Sequence, residues 1–519
     1  MKLNLILTGL ALAACSTITM AQQENPDTAV FRRIRNAEMN SSQIPQIAHY
    51  LTDVSGPRLT NSPGYKRAAD WAVATMKKWG LANTTLEPWG EFGKQWEIND
   101  FSISMTAPYS AQLRAYPVPW SANTNGMQRG SVVILTPQQS IDTTYLAGHA
   151  AEFKGKILLI TGGPYNGEGN FKPTATRLAD TSLANLKDSY LVSRKEIEGA
   201  FNYMAMFRKI DLILKKAGVL TLISGGRRNV NGTVFVQSQY GHKITDPETI
   251  PQVDISLEDA QKIKRLIASG QKVEIAINLQ GTTSTSDTKG YNVIGEIPGT
   301  DPKLKAEVVM LGGHLDSWSG ATGATDNAAG CIVMLEAARL LDSLGIKPKR
   351  TIRIALWGGE EQGLYGSYNY VKNHFIDAPT FTPKPEQGKV SAYFNLDNGT
   401  GKIRGIYAQG NTAAAAIFKE WFKPFHDLGA TTVTMSNTGS TDHQSFDWAG
   451  IPGFQFVQDE LDYETRTHHS NLDDYDHLSM PDLKQAAIIV ASFVYQTSMR
   501  PTMLPRKPLK KEIFVFDGL

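Results

Sequence analysis

Between residues 290 and 500, short apolar runs alternate with longer stretches in which apolar residues recur every three or four positions. VIGEIPG, EVVMLGGHLD, TIRIALWGG, VSAYFNLDNG and GFQFVQDE read as strands. NAAGCIVMLEAARLLDSLG, SYNYVKNHF, AAAAIFKEWFKPFHDLG and MPDLKQAAIIVASFVYQTSM read as helices. Strand and helix in alternation predict a layered α/β domain with a mostly parallel central sheet. Upstream, Ser41 to Leu81 reads helical, and ADWAVATMKKWGL is an amphipathic run ending at Gly80. From about Gly130 the texture changes. GSVVILTP, GKILLITGG, AGVLTLISGG and GTVFVQS are β-branched runs between Gly-rich turns, ISLEDAQKIKRLIASG is a helix capped by Ser256, and VEIAINLQG closes the block. The block at 128–285 reads as a smaller β-rich insertion. The larger domain is then split into 22–127 and 286–500, with a Pro- and Lys-rich tail at 501–519.

Composition narrows the function. The chain of 519 residues is 41% hydrophobic and 20% charged, ordinary for a globular protein. Its formal charge of +2, from 52 basic and 50 acidic residues, argues against a nucleic-acid partner. Lys2 and the apolar run Leu3 to Ala14 fit a secretory signal at 1–21, too short to span a bilayer. Cleavage after Ala21 releases a soluble protein. LAAC at 12–15 also resembles a lipoprotein box, which would attach Cys15 to a membrane by lipid; the soluble reading is preferred, because a plausible cleavage region follows Cys15. Both readings put the chain in the periplasm or outside the cell. Cys331 is then the one cysteine of the mature chain and sits in an apolar helical run, as a small hydrophobe would.

The candidate chemistry lies at the ends of the predicted strands, where open α/β sheets place their ligands. The strings are HLD at 314–316, TDNAAG at 325–330, WGGEEQG at 357–363, NLDNG at 395–399 and HHSNLDD at 468–474. Asp, Glu and His are zinc ligands, and the set predicts a metal site, with two ions favoured. Singly, each has a plainer reading. His314 alone would more often be structural, Asp326 an N-cap, Asp397 a turn residue, and His468 and His469 a solvated pair. Together they are too many to be coincidence. Asp316 suits a carboxylate that fixes the His314 tautomer. Asp326 can offer one oxygen to each of two metals. Adjacent acids on a regular strand face opposite ways, so Gly358-Gly359 implies an irregular backbone that turns Glu360 and Glu361 into one cleft. One can then bind metal while the other moves a proton. No G-x-S-x-G elbow supports a serine hydrolase, and Ser440 near Asp442 and His443 is a poor substitute; TDHQSF at 441–446 reads as support for the metal site. GGPYNGEGN at 162–170 lacks the Lys-Ser/Thr of a phosphate loop.

The order H-x-D, D-N, E-E, D, H-S-x-x-D resembles the M28 family of zinc exopeptidases, most closely its carboxypeptidase Q branch. SGPRLTNSPGYKRAADW, GGHLDSW and KPKRTIRIALWGGEEQG carry the likeness along most of the mature chain. The inserted block resembles a protease-associated (PA) domain. The resemblance implies two Zn2+, with Co2+ or Mn2+ as substitutes. It implies His314, Asp326 and Asp397 on one ion and Asp326, Glu361 and His469 on the other, with Glu360 as general base. His469 is taken over His468 because the family pattern is His followed by Ser or Thr. His468 stands where several relatives carry a Tyr that stabilises the tetrahedral intermediate. The Asp326-Asn327 bond is often cis in relatives. The implied substrates are peptides cut at one end, by an aminopeptidase or dipeptidase. Asp459 or Glu460 could meet an α-amine and Arg466 an α-carboxylate, though all three read more simply as surface charges. A glutaminyl cyclase with one zinc and a receptor-like homologue without catalysis are the alternatives.

Overall fold

The computed structural model describes residues 24–161, 171–191, 193–226, 228–238, 240–377 and 380–509. The signal at 1–21 with Cys15, the Gly-rich run at 162–170 and the end of the tail lie outside the described residues. Among the described residues, no helix is long and apolar enough to cross a membrane.

One eight-stranded sheet carries the predicted α/β pattern. Its centre is parallel: Thr351–Trp357, Val308–His314, Val390–Asn395 and Gly453–Gln458 lie side by side. The central strands are buried on both faces. The helices Pro63–Trp79, Ala329–Ser343 and Met480–Met499 cover one face. The other packs under Tyr365–His374 and His443–Trp448. Ala329–Ser343 is buried almost along its length, which explains its nearly continuous apolar sequence. Its two charged residues in the core pair with each other, Arg339 Nη2 to Glu336 Oε1 at 2.6 Å.

A second eight-stranded sheet takes Gln95–Ala107, Ala111–Gln112, Ala115–Pro117, Gln128–Leu135, Ile157–Thr161, Thr221–Gly225, Gln252–Ile255 and Glu274–Ser284. Its strands begin at Gln95, upstream of the position 128 suggested by texture. QWEINDFSISMTA lacks a continuous apolar run, but it pairs along its length with Glu274–Ser284. The chain leaves the first sheet on Ala82–Glu91 and returns on Lys289–Ile297, and these two strands are themselves paired, Glu91 opposite Lys289. The second sheet therefore stands on a two-stranded stalk. Gly93, at φ +135°, lies so close to the His242 carbonyl that a Cβ there would be 2.1 Å from it. Aromatic side chains fill the junction: Trp89 stacks on Tyr365 at 5.7 Å, Phe92 on His242 at 4.7 Å, and Trp120 meets Trp318 edge-on at 6.2 Å. GTVFVQS, expected to be a strand of the insertion, is not one. Its main chain runs beside the HHS loop instead, with Phe235 bridged to Ser470 and Val236 N donating to His469 O at 2.8 Å.

Candidate metal centre

Three parallel strands deliver their C-terminal ends to one cleft. His314 is the last residue of its strand, Asp397 follows Asn395 by two positions, and Glu360 and Glu361 follow Trp357 after the Gly358-Gly359 turn. Gly359 has φ +78°, and a Cβ on Gly358 would strike the Tyr65 hydroxyl at 2.4 Å. The irregular turn brings both acids to the cleft, as the glycines imply.

Asp326 lies at the centre. Its Oδ1 is 3.3 Å from His314 Nε2, and Asp397 Oδ1 is 3.3 Å from the same nitrogen. Its Oδ2 is 3.2 Å from His469 Nε2, which is 2.9 Å from Glu361 Oε2. Glu360 Oε2 stands 3.9 Å from His314 Nε2, and His468 Nε2 is 3.8 Å from Asp326 Oδ2. All seven residues singled out in the sequence thus line one cavity of about 220 Å3. Asp326 is not an N-cap. The helix begins at Ala329, Asp326 has non-helical backbone angles, and the Asp326-Asn327 peptide is cis.

The donor set fits metal ions. Four carboxylates and three imidazoles converge, and Asp326 Oδ2, Glu361 Oε1 and Asp397 Oδ1 are buried without a hydrogen bond. An excess of buried negative charge with open lone pairs is disfavoured unless a cation meets it. The electrostatics agree. Burial opposes charge on His314, but Asp397 and Glu360 outweigh it and hold the imidazole well above its ordinary value. His469 is held up to about 10, against burial, by Glu361 and Asp326. Burial pushes Asp326 up, but the His314 and His469 imidazoles facing its two oxygens carry it well below the usual carboxylate range. Glu360 is raised well above that range, by burial first and then by Asp397. Cys331 is inert: burial pushes its thiol to about 12, and Sγ donates to His314 O at 3.0 Å.

The supporting groups are mostly ones the sequence reading did not assign. Asp316 faces His314 twice. Its main-chain carbonyl meets His314 Nδ1 at 2.9 Å, and its carboxylate Oδ1 lies farther off, at 3.7 Å from the same nitrogen. The carboxylate accepts from Glu360 N at 3.2 Å, Glu361 N at 3.3 Å and Thr60 Oγ1 at 2.8 Å, because the turn after Trp357 leaves those amides free. Buried Arg58 donates to Leu51, Leu315, Thr322 and Gly323 carbonyls, tying the SGPRLT segment to the loop after His314. Asp473 accepts from Thr325 N at 2.6 Å and Asp326 N at 3.0 Å. Asn327 donates to Leu396 O and accepts from Gly330 N, both at 2.9 Å. The insertion supplies the rest. Gln237 Oε1 meets His469 Nδ1 at 3.2 Å, and Arg228 Nη2 meets His468 Nδ1 at 3.2 Å. Tyr463 stacks on His468 at 4.7 Å. Asp459 is turned away, fully buried and paired with Arg177 and Arg404; Glu464 lines the cleft instead. Ser440 Oγ donates to Tyr190 O and His443 meets Gln409 and the Thr438 carbonyl, so these two form no serine triad.

Residues 292–494 match the model of peptidase family M28. The chain carries an M28 peptidase domain. The metallopeptidase class expected from the motifs is therefore the one the family returns, and zinc is the metal named among its relatives. Over 459 residues the chain is 28% identical to carboxypeptidase Q of Rattus norvegicus, covering 88% of this chain and 85% of that one. The fold is shared with the M28 peptidase precursor of Shewanella amazonensis SB2B, at TM-score 0.67 and 24% identity, covering 92% of this chain and 98% of that one. It is also shared with a zinc aminopeptidase of Bacillus subtilis, at TM-score 0.55 and 21% identity over 88% and 95% of the two chains. The M28 match spans most of the strands that build the cleft and leaves out the inserted sheet.

Proposed function

We propose that the chain is an exported di-zinc aminopeptidase acting on peptides. The observation that carries this reading is Asp326, whose two oxygens face two different clusters, His314 with Asp397 and His469 with Glu361. His314, Asp326 and Asp397 would hold one zinc, and Asp326, Glu361 and His469 the other; cobalt or manganese suit the same donors. Glu361 beside His469 favours two ions over the single zinc of a cyclase. When bound, the ions supply a water of lowered pKa and positive charge for the scissile carbonyl.

Glu360 takes the proton of the attacking water and later delivers it to the leaving amine. Its carboxyl reaches the cleft but is held by neither histidine as closely as the other acids are. Arg228 can only donate, so its contact at 3.2 Å favours an accepting His468 Nδ1 and a proton on Nε2, against the more distant Glu464 Oε2 at 3.7 Å from the same Nδ1. That N–H faces Asp326 across the cleft and donates to the oxyanion in place of a tyrosine. Among the described residues the cleft is lined by no lysine or arginine. A free α-amine suits it better than an α-carboxylate. Glu464, with Tyr190 Oη donating to its Oε1 at 3.0 Å, is the acid that would meet the amine. We read the second sheet as a PA-like insertion that completes one side of the cleft.

The test is digestion of a short peptide by zinc-loaded protein, free at both ends, capped at the N-terminus or capped at the C-terminus, with and without chelator. Loss of N-terminal residues, stopped by chelator and by the N-terminal cap, is expected. Dependence on the C-terminus instead would make it a carboxypeptidase, and no cleavage with two zinc ions bound would overturn the reading.

A further inference from the structure

The inserted sheet holds a second cavity, of about 220 Å3, separate from the cleft. Phe207 and Leu214 of the helix Arg194–Ala217 wall it on one side, and Leu222 and Ile160 of the sheet on the other. Two acids break this apolar lining. Asp211 is fully engaged: Tyr240 Oη donates to it at 2.7 Å, and Gln252 Nε2 lies 2.9 Å from both its oxygens. Asp254 is two residues beyond Gln252 on the strand Gln252–Ile255, so it faces the same side. It has no hydrogen bond and no ion pair among the described residues. Burial alone moves its carboxyl, up to about 8. The other titratable groups at the wall are Asp211, Tyr203 and Tyr240; among the described residues, no lysine, arginine or histidine lines the cavity.

Asp254 is half-buried, and a carboxylate without a partner at the wall of an apolar cavity offers its lone pairs to a cation that enters. We propose that this cavity is a binding site for a small organic cation, a primary amine on an apolar or aromatic body, whose ammonium group pairs with Asp254 and whose body fills the space between Phe207, Leu214, Leu222 and Ile160. The volume lies below that of sites for drug-sized molecules, so the ligand has on the order of ten non-hydrogen atoms. Gln237 lines this cavity and also meets His469 Nδ1, so the two sites share one side chain.

The experiment is calorimetric titration of the zinc-loaded full chain with phenethylamine and with phenethyl alcohol, its neutral counterpart of the same shape. The variants are Asp254→Asn, which removes the charge, and Leu214→Trp, which fills the space. Phenethylamine is expected to bind the parent, to weaken at least about tenfold in Asp254→Asn and to be excluded by Leu214→Trp, while zinc content stays the same. Equal affinity for the alcohol would make the cavity a plain apolar void. Amine binding unchanged in Asp254→Asn would place the amine elsewhere, in the catalytic cleft for instance. Either result, or no binding up to the solubility limit, overturns the proposal; Asp254→Asn decides it even if Leu214→Trp does not fold.

Discussion

The two halves of the candidate metal centre are built differently. On the His314 side, the donors hang from adjacent parallel strands, and their supports come from the same α/β domain: the Asp316 carbonyl, Arg58, Thr60 and the buried helix after Asn327. On the His469 side, the donor sits in a loop, at φ +58°, and its ring nitrogen meets Gln237 of the insertion. His314 is 1% exposed and His469 16%. A strand end is positioned by the sheet's own hydrogen bonds, whereas a loop needs something beside it. Here that something is the segment GTVFVQS, which gives up strand pairing to lie along the HHS loop. Asp326 belongs to both halves, and Asp473 holds it from below through two main-chain amides.

Breaking the shared residue has the largest expected effect. Asp326→Ala removes a donor from each cluster, and elemental analysis of the purified variant should show both metals lost; full zinc content would refute the shared-donor assignment. Glu360→Gln comes next. It should leave zinc content intact while turnover falls by about 10²–10⁴-fold, and near-normal turnover in the metal-replete variant would remove Glu360 as the base. The halves then separate. Gln237→Ala should weaken one of the two proposed zinc sites by roughly 10–100-fold, seen in competition with a chelator as two unequal steps; equal weakening of both would mean that the insertion supports the whole centre. Arg228→Met should lower kcat with zinc unchanged, by less than the ~10²-fold that loss of an entire oxyanion donor costs.

The smallest effect compares the two sheets rather than the two metal sites. Asp254 has an ordinary value of 3.8 and stands near 8 when folded. Above pH 3.8 the unfolded chain releases this proton and the folded chain keeps it. The penalty on folding therefore grows as pH rises through that window and is complete above pH 8. Asp254→Asn should raise the melting temperature of the insertion at pH 8 and leave it unchanged near pH 4, at roughly 2–4 °C per kcal/mol released. A shift of equal size at both pH values would mean that the fold does not hold the acid neutral.

The His314 half was legible in the sequence because its donors close apolar strands, and a run such as EVVMLGGHLD states both the strand and its last residue. The Gly-Gly before Glu360 and Glu361 likewise announced a turn. What could not be read were contacts between distant segments. Nothing in GTVFVQS says that Gln237 meets a histidine some 230 positions later, since β-branched alternation fits a strand equally well. Asp473 was visible in the H-S-x-x-D pattern, but its task depends on where the Thr325 and Asp326 amides point. Arg58 lies in a string noticed only as a likeness, and four carbonyl partners cannot be inferred from composition. The reading of Asp459 failed for the same reason: its cations, Arg177 and Arg404, come from remote parts of the chain.

The aromatic junction at the foot of the insertion has an optical consequence. Trp318 packs edge-on against His469, with ring centroids 6.1 Å apart, and touches Trp120 on its other side. An indole beside an imidazole loses emission when the ring is a doubly protonated imidazolium, and a ring whose Nε2 holds metal cannot take that second proton. Intrinsic fluorescence is therefore a built-in gauge of how the loop half of the centre is filled, read as the part of the signal that Trp318→Phe removes.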